Sequence, residues 1–100
     1  MRIEIDYDPK KNETNIAERG LSFDLVEELD WLATTIKPDL RVDYGEDRWI
    51  ATGPIRGRVC VMCYTWRARV LRVISLRKAN DREIRDYEQE GATTIDGCGR

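Results

Sequence analysis

Residues 58–77 read RVCVMCYTWRARVLRVISLR, and they form the centre of the expected architecture. Apolar and β-branched side chains dominate it, and the short break Arg67-Ala68 divides it into two runs typical of strands, Arg58–Trp66 and Arg69–Arg77. Two strands joined by so tight a turn run antiparallel. The stretch therefore predicts a β-hairpin at the centre of the domain.

Upstream of the hairpin, further segments have the pattern of strands. Leu40–Tyr44 is predicted to be a strand that ends in the turn Gly45-Glu46-Asp47. Arg48–Ile55 is predicted to be the next strand, in which Gly53-Pro54 indicates a bulge or a strand end. Thr34–Pro38 is predicted to be a loop. The hairpin is therefore expected to belong to an antiparallel meander of three or four strands.

The N-terminal part predicts one strand and one helix. Arg2–Tyr7 alternates apolar and acidic residues, as a short strand does. Asp8-Pro9 then begins a helix, because Asp is a good N-cap and Pro suits the first helical position. Gly20 ends this helix, since glycine adopts the left-handed conformation that closes a helix C-terminus.

Two more helices are predicted from their capping residues. Ser22 caps the segment FDLVEELDWL, whose residues Phe23, Val26 and Leu29 are expected to face inward. The sequence Asn80-Asp81-Arg82-Glu83 has the form of a capping box, which predicts a third helix from Asn80 to Glu90.

One hundred residues make one domain, here expected to span residues 1–90, with residues 91–100 as a flexible tail. The predicted order is β-α-α-β-β-β-α. This order predicts an α+β fold: an antiparallel β-meander with two N-terminal helices and one C-terminal helix, packed on one face of the sheet.

Cysteine and histidine usage excludes several kinds of site. The chain has no histidine, so Ser-His-Asp and Cys-His nucleophile systems are excluded. Cys60 and Cys63 have a metal-binding spacing, but no second such pair or histidine completes a zinc site. Both lie in an apolar run, where free cysteine behaves as a core residue. No metal and no cofactor are therefore expected.

Positive charge is concentrated in one part of an otherwise acidic chain. The net charge is −2, yet residues 56–80 contain seven basic residues and no acidic ones. Arginine suits phosphate because its planar fork donates two parallel hydrogen bonds. Tyr64 and Trp66 interleave with the arginines and have rings on which unpaired bases can stack. The stretch is either a nucleic-acid surface or a set of solvated strand faces around core aromatics.

Strand alternation places the arginines of the second hairpin strand on different faces. Arg69 and Arg77 fall on one face with Leu71, Val73 and Ser75. Arg72 falls on the other face, alone among aliphatic residues. A partly buried guanidinium needs a carboxylate, such as that of Glu46, or a bound anion, and the burial argument does not distinguish between them.

Short motifs occur in a fixed order over residues 3–88. They are Tyr7-Asp8-Pro9-Lys10, Asn15, Gly20-Leu-Ser-Phe23, Glu46-Asp47-Arg48-Trp49, Gly53, Tyr64-Thr65-Trp66-Arg67, Arg72-Val-Ile-Ser75-Leu-Arg77-Lys-Ala79, and Glu83 with Tyr87. On these residues the chain resembles the BrnT toxins, ribonucleases with a fold like that of the RelE toxins. It differs from them at Arg19, where the family usually has His, and at Tyr7, where it usually has Trp.

The resemblance implies an endoribonuclease that works without a metal. The ribose 2′-OH would attack the adjacent phosphate and release a 5′-OH end. The residues expected to stabilise the charge of the transition state are Arg67, Arg72 and Arg77. Glu46 is the expected base, with Lys10 and Lys78 as alternatives, and Tyr64 is the expected acid or a stacking platform. The residues expected to bind RNA are Arg48, Arg58, Arg69, Lys78 and Trp66.

The resemblance also implies partners. These are RNA and a small BrnA-like antitoxin, expected to form a heterotetramer with the toxin and to supply any contact with DNA. An acidic antitoxin segment would mask the basic sheet. The N-terminus is too acidic for a signal peptide, so a cytoplasmic location without membrane contact is expected. Two alternatives remain: a binding module of the same fold without catalysis, and a structural protein whose arginines form internal ion pairs.

Overall fold

The computed structural model describes residues 3–99, with the side chains of residues 3–90. Five strands and two α-helices are present in this part of the chain, together with two short 3-10 helices. In chain order the elements are β1 (Ile5–Tyr7), α1 (Pro9–Arg19), the 3-10 segments Phe23–Glu28 and Trp31–Ala33, β2 (Thr35–Pro38), β3 (Trp49–Ile55), β4 (Arg58–Arg67), β5 (Val70–Lys78) and α2 (Asp81–Gly99). The predicted α+β class is confirmed.

The strands form one mixed sheet in the order β1-β5-β4-β3-β2. Strands β2 to β5 are antiparallel neighbours, as the meander predicts, but β1 pairs with β5 in parallel, with Ile5 opposite Leu71. The prediction of a purely antiparallel sheet is therefore wrong. The physical reason is that a helix follows β1, so β1 cannot form a hairpin with the next strand and instead pairs with the distant β5.

The predicted ends of α1 are confirmed. The Asp8 side chain accepts a hydrogen bond from Lys10 N at 2.9 Å, and Pro9 is the first helical residue. Gly20 has φ of 68° and its N–H donates to Ile16 O at 2.8 Å. These local hydrogen bonds satisfy backbone groups that the helix itself leaves unpaired.

The second predicted α-helix is instead a pair of 3-10 segments. Ser22 does cap the first, its Oγ accepting from Asp24 N at 3.2 Å. The chain then breaks near Leu29, and Asp30 N donates to Pro54 O at 3.1 Å. Phe23, Val26 and Leu29 are buried as predicted. Their spacing of three residues matches the three-residue turn of a 3-10 helix, which explains why the sequence pattern looked helical.

The boundary between loop and strand differs from the prediction in the middle of the chain. The segment predicted as a loop contains β2, an edge strand whose Pro38 lies at its end, where a missing N–H is tolerated. The predicted strand Leu40–Tyr44 is part of a long connection between β2 and β3. Leu40 and Val42 are 84% and 60% exposed there. Leu40 and Val42 alternate with polar residues, as in a strand, but neither side chain is buried, so no packing stabilises a strand here.

The hydrophobic core lies between one face of the sheet and the N-terminal helical segments. Its largest fully buried side chains are Phe23, Met62, Leu71 and Leu76. Asn15 links α1 to the sheet by donating to Leu76 O at 2.9 Å. We call this side of the sheet the core face.

Helix α2 lies on the side of the sheet opposite the core face, so the prediction that the helices share one face is wrong. Its residues Glu83 and Tyr87 border a groove with Ile50 and Thr52, which alternate with the core-facing residues of β3. Glu83 and Asn80 form the predicted capping box, each side chain accepting from the other's backbone N–H. The Tyr87 hydroxyl donates to Ala33 O, which supports a packing role for this tyrosine.

The C-terminal helix continues beyond its predicted end. Its backbone is helical to Gly99 rather than to Glu90, so it takes in most of the residues predicted as a tail. That residues 91–100 are flexible, and that residues 1–90 form the domain, stay predictions. Of these residues, Met1, Arg2 and Arg100 lie outside the described part, and the RelE-like likeness also stays a prediction.

Thr34 packs so closely against β3 that position 53 has room only for glycine. A Cβ atom at this position would lie 2.1 Å from Thr34 Oγ1 and 3.1 Å from Thr34 Cα. Thr34 Oγ1 donates to Asp30 O at 2.7 Å, so its side chain is held in place. We expect Gly53→Ala to lower the free energy of unfolding by about 1–3 kcal/mol, measured by urea denaturation.

A second substitution tests whether this contact is the cause. Thr34→Gly removes both Oγ1 and Cβ, so adding it to Gly53→Ala should recover part of the lost stability. An unchanged urea midpoint in Gly53→Ala alone would show that the neighbouring segment yields without cost.

Candidate active site

A bulge in β5 brings Arg72 and Arg77 to the same face of the sheet. In the β4–β5 pairing Cys63 lies opposite Ser75, but Tyr64 lies opposite Val73, which leaves Ile74 unpaired. An extra residue inverts the alternation of side chains beyond it. The prediction that Arg72 and Arg77 lie on opposite faces is therefore wrong, because it assumed a regular strand.

Five arginines lie on or beside the face of the sheet opposite the core face. Val61, Cys63 and Thr65 of β4 alternate with the core residues and point to this side. Strands β4 and β5 and the connection between β2 and β3 carry the arginines. We call the group the arginine face: Arg41, Arg48, Arg67, Arg72 and Arg77.

Arg72 has a carboxylate partner within the fold. Its Nη1 donates to Asp6 of β1, which lies directly opposite it in the parallel pairing. The Arg72 side chain is 25% exposed. From the sequence, Arg72 was expected to meet either a carboxylate such as Glu46 or a bound anion. The structure gives it a carboxylate, and that carboxylate belongs to Asp6.

Arg77 anchors helix α2. It donates through both Nη atoms to the two Glu83 oxygens, each at 2.6 Å. These hydrogen bonds from Arg77 lower the pKa of Glu83 to about 2. Because Glu83 also accepts from Asn80 N, the pair connects the sheet to the first turn of α2. Arg77 is thus engaged in holding the fold together.

Glu46 lies between two arginines at the rim of the arginine face. Its Oε2 is 3.4 Å from Arg48 Nε and its Oε1 is 3.5 Å from Arg67 Nη2. Arg48 is held from the other side, since its guanidinium carbon lies 3.8 Å above the centre of the Tyr44 ring. Arg67 is freer, with 57% of its side chain exposed. This arrangement offers one carboxylate and two cations to a ligand at the same place.

The loop that carries Glu46 is tied to the sheet. Thr65 Oγ1, which is buried on the arginine face, donates to Asp47 O at 2.6 Å. The loop and the start of β3 also enclose a cleft of roughly 400 Å³ lined by Leu40, Tyr44 and Trp49 among others. Sequence reasoning missed Tyr44, although an aromatic residue beside the turn Gly45-Glu46-Asp47 was a usable signal.

Tyr64 is separated from this site by the sheet. Its side chain faces the core and the residue is 3% exposed, with Trp31 and Trp66 packed edge-on at 6.1 Å. Burial raises the pKa of its hydroxyl. The structure does not bring Tyr64 together with the arginine face, and its surroundings are those of a packing residue.

The alternative bases are also remote from Glu46. Lys10 is on α1, which packs from the core side, and lines a shallow pocket with Asn15 and Phe23. Lys78 lies opposite Cys60 at the end of β5 away from the Arg67 turn. Neither lysine is placed beside the Glu46 carboxylate.

The residues predicted to bind RNA are divided between two regions. Arg58 and Lys78 both act electrostatically on Cys60, at the end of the hairpin remote from its turn. Arg69 is exposed in the turn that follows Arg67. Trp66 is 44% exposed but alternates onto the core side of β4. Of these predicted residues, Arg48 contacts Glu46, and Arg69 lies in the turn two residues after Arg67.

Two further features of the described residues bear on the kind of site. Among the side chains of residues 3–90, no three of Cys, Asp and Glu converge in a way that suits a metal ion. Across residues 3–99, none of the helices has the length and apolar character needed to cross a membrane.

Comparison with known proteins gives the family. No curated protein matches the chain significantly. The family model described as the ribonuclease toxin BrnT of type II toxin–antitoxin systems matches residues 7–83, well over half of the chain. The matched region contains Glu46 and all five members of the arginine face. Membership of a type II system also implies an antitoxin partner. The chain therefore belongs to the BrnT family of ribonuclease toxins.

Proposed function

We propose that this chain is an endoribonuclease toxin that cleaves RNA at the rim of the arginine face, with Glu46 as the base. The observation that carries the proposal is the position of the Glu46 carboxylate between Arg48 and Arg67. A carboxylate beside two guanidinium groups can take a proton at the point where those groups bind a phosphate.

The reaction is an internal transfer at phosphorus. Glu46 takes the proton of the ribose 2′-OH, and the 2′ oxygen forms a bond to the adjacent phosphorus. The bond from phosphorus to the 5′ oxygen breaks, and that oxygen takes a proton from an acid or from water. The products are a 2′,3′-cyclic phosphate and a 5′-OH end, and the step consumes no metal ion and no other reactant.

The two arginines have different parts in this reaction. Arg67 is exposed and only loosely paired, so it is free to turn toward a phosphate and stabilise the charge that develops on it. Arg48 is 22% exposed and rests on Tyr44, which makes it a fixed donor. Arg72 and Arg77 are proposed to support the sheet around the site rather than to contact the phosphate, because Asp6 and Glu83 already occupy their hydrogen-bonding groups.

Glu46 is preferred over the two lysines as the base for a geometric reason. A general base has to lie within hydrogen-bonding distance of the proton that it removes. Lys10 and Lys78 lie on other parts of the surface, away from the exposed guanidinium of Arg67. Of the candidates named from the sequence, Glu46 is the one beside a phosphate-binding group.

The partner that neutralises the toxin is proposed to be a BrnA-like antitoxin that forms a heterotetramer with it in the cytoplasm. An acidic segment of such an antitoxin would cover Arg67 and Arg69, the exposed guanidinium groups near the β4–β5 turn. This contact would exclude RNA by occupying the same positive groups.

The experiment is cleavage of a defined RNA by the purified protein in the presence of EDTA, with the ends of the products identified. We expect cleavage to continue without divalent metal and to leave cyclic phosphate and 5′-OH ends. Pre-mixing with antitoxin should stop it. A requirement for added metal, or products with 5′-phosphate ends, would contradict the mechanism.

A second candidate function is binding without cleavage. It is favoured by the ion pairs on the arginine face, where Asp6, Asp39, Glu46 and Glu83 all contact arginines and reduce the charge available to a substrate. In that case the same experiment would show RNA or antitoxin bound by the folded protein and the RNA intact.

A further inference from the structure

The connection between β2 and β3 is a closed loop, residues 39–48. At its base, Asp39 N donates to Arg48 O at 2.8 Å, next to the last pair of the β2–β3 ladder. Loops between hairpin strands usually have about two to five residues, so a connection of this length is uncommon. This loop carries both Glu46 and Arg48, so its position determines theirs.

Asp39 is a buried carboxylate at the base of this loop. Its side chain has no exposed surface, whereas that of its partner Arg41 is 67% exposed. Arg41 donates to it through Nε and Nη2, each at 2.8 Å, and through its backbone N at 3.2 Å. The Cys63 thiol of β4 donates to Asp39 Oδ2 at 3.7 Å.

One of these contacts, from the Cys63 thiol to Asp39 Oδ2, joins the loop to the sheet, whereas the bonds from Arg41 lie within the loop and compensate the buried charge. The Arg41 guanidinium holds the pKa of the Asp39 carboxyl well below its usual range, so the group is charged. A buried charge is stable only while its hydrogen-bonding partners stay in place. Moving the loop away from β4 would break the bond from Cys63 to Asp39 and separate the buried carboxylate from the strand that covers it.

We propose that Asp39 is a positioning residue whose buried carboxylate holds the loop 39–48 against β4 and thereby fixes Glu46 and Arg48 for catalysis. The proposal rests on the proposed ribonuclease function. Asp39 itself is buried at the base of the loop and does not touch RNA. It acts through the loop, because displacing catalytic groups by about 1 Å can reduce a rate by 10²-fold.

The structure provides a reporter for the position of the loop. Cys63 is 6% exposed, and its thiol contacts Asp39. Cys60, on the same strand, is 4% exposed and belongs to the core on the other face. Opening of the loop would expose Cys63 alone, whereas unfolding would expose both. The rate of alkylation at each cysteine therefore separates the two events.

The test compares Asp39→Asn with wild type in two measurements. The first is alkylation by iodoacetamide, followed by peptide mass spectrometry at Cys60 and Cys63. The second is the kcat and KM of RNA cleavage. The matched control is Asp43→Asn in the same loop, where the carboxylate accepts from Gly45 N at 3.0 Å and is not bonded to β4.

We expect Cys63 in Asp39→Asn to react at least about tenfold faster, as in a local opening, while Cys60 stays protected. The kcat should fall by about 10²-fold with little change in KM, since Arg67 on the sheet still binds the phosphate. Asp43→Asn should behave as wild type. If Asp39→Asn fails to fold, Arg41→Gln takes its place, because it removes the exposed arginine that pairs with Asp39. We expect the same faster alkylation of Cys63 and the same loss of kcat in that variant.

Three outcomes would overturn the proposal: unchanged alkylation of Cys63, equal acceleration at Cys60 and Cys63, or an opened loop with an unchanged kcat. If the wild-type protein does not cleave RNA at all, the proposed function fails. The alkylation ratio would then still decide whether Asp39 holds the loop, because that measurement requires no RNA.

Discussion

Replacing Glu46 by Gln is expected to reduce the rate of RNA cleavage by about 10²–10⁴-fold, the usual contribution of a general base. Gln keeps the size of the side chain but cannot accept the proton of the 2′-OH at neutral pH. RNA should bind no more weakly, because the substitution removes a negative charge from beside Arg48 and Arg67. The measurement is single-turnover cleavage together with filter binding of the uncleaved RNA.

The matched control for this substitution is Glu28→Gln. Glu28 also forms an ion pair with an arginine, its oxygens lying 2.8 Å from the guanidinium of Arg56. Both partners are substantially exposed, and Glu28 lies at the end of the first 3-10 segment, which packs on the core side. Its substitution should leave cleavage unchanged. Equal rates in Glu46→Gln and wild type would remove Glu46 from the mechanism.

Replacing Arg67 by Ala is the second large effect that we expect, a loss of about 10²–10³-fold in kcat/KM, comparable with removing one donor from an oxyanion site. Arg67 is 57% exposed and 3.5 Å from Glu46, so a phosphate can reach its guanidinium without breaking a tight pair. Arg67→Lys should recover only part of the activity, because an ammonium lacks the planar fork of donors. Steady-state kinetics on a short RNA measure both variants.

Arg56→Ala is the control for Arg67→Ala. Arg56 is similarly exposed and similarly paired with a glutamate, but it lies in the turn between β3 and β4. We expect it to change neither kcat nor KM. If Arg56→Ala and Arg67→Ala reduce cleavage equally, the effect is one of general positive charge, and a specific contact at Arg67 is ruled out.

The predictions that held depend on neighbouring residues. The caps of α1 and the capping box of α2 each involve residues within a few positions of one another, so their residue types alone indicate the hydrogen bonds. The β4–β5 hairpin is local in the same sense, although its two-residue turn is Ala68-Arg69 instead of the predicted Arg67-Ala68.

The candidate site was predictable in composition but not in arrangement. Glu46, Arg48 and Arg67 were all named from the sequence, and the fold brings them together. Tyr64 and Lys10 were named with them and lie elsewhere, because the face on which a side chain emerges depends on the whole sheet. Asp39 was not named, since burial beneath a loop leaves no local sign in the sequence.

The sequence by itself determined the α+β class, the hairpin, the helix caps and the concentration of arginine in residues 56–80. Only the tertiary structure decided the parallel pairing of β1, the bulge at Ile74 and which carboxylate pairs with each arginine of the arginine face. The reason is physical. A helix cap or a tight turn is stabilised by atoms a few residues apart, whereas strand register and buried ion pairs are stabilised by contacts between residues far apart in the chain.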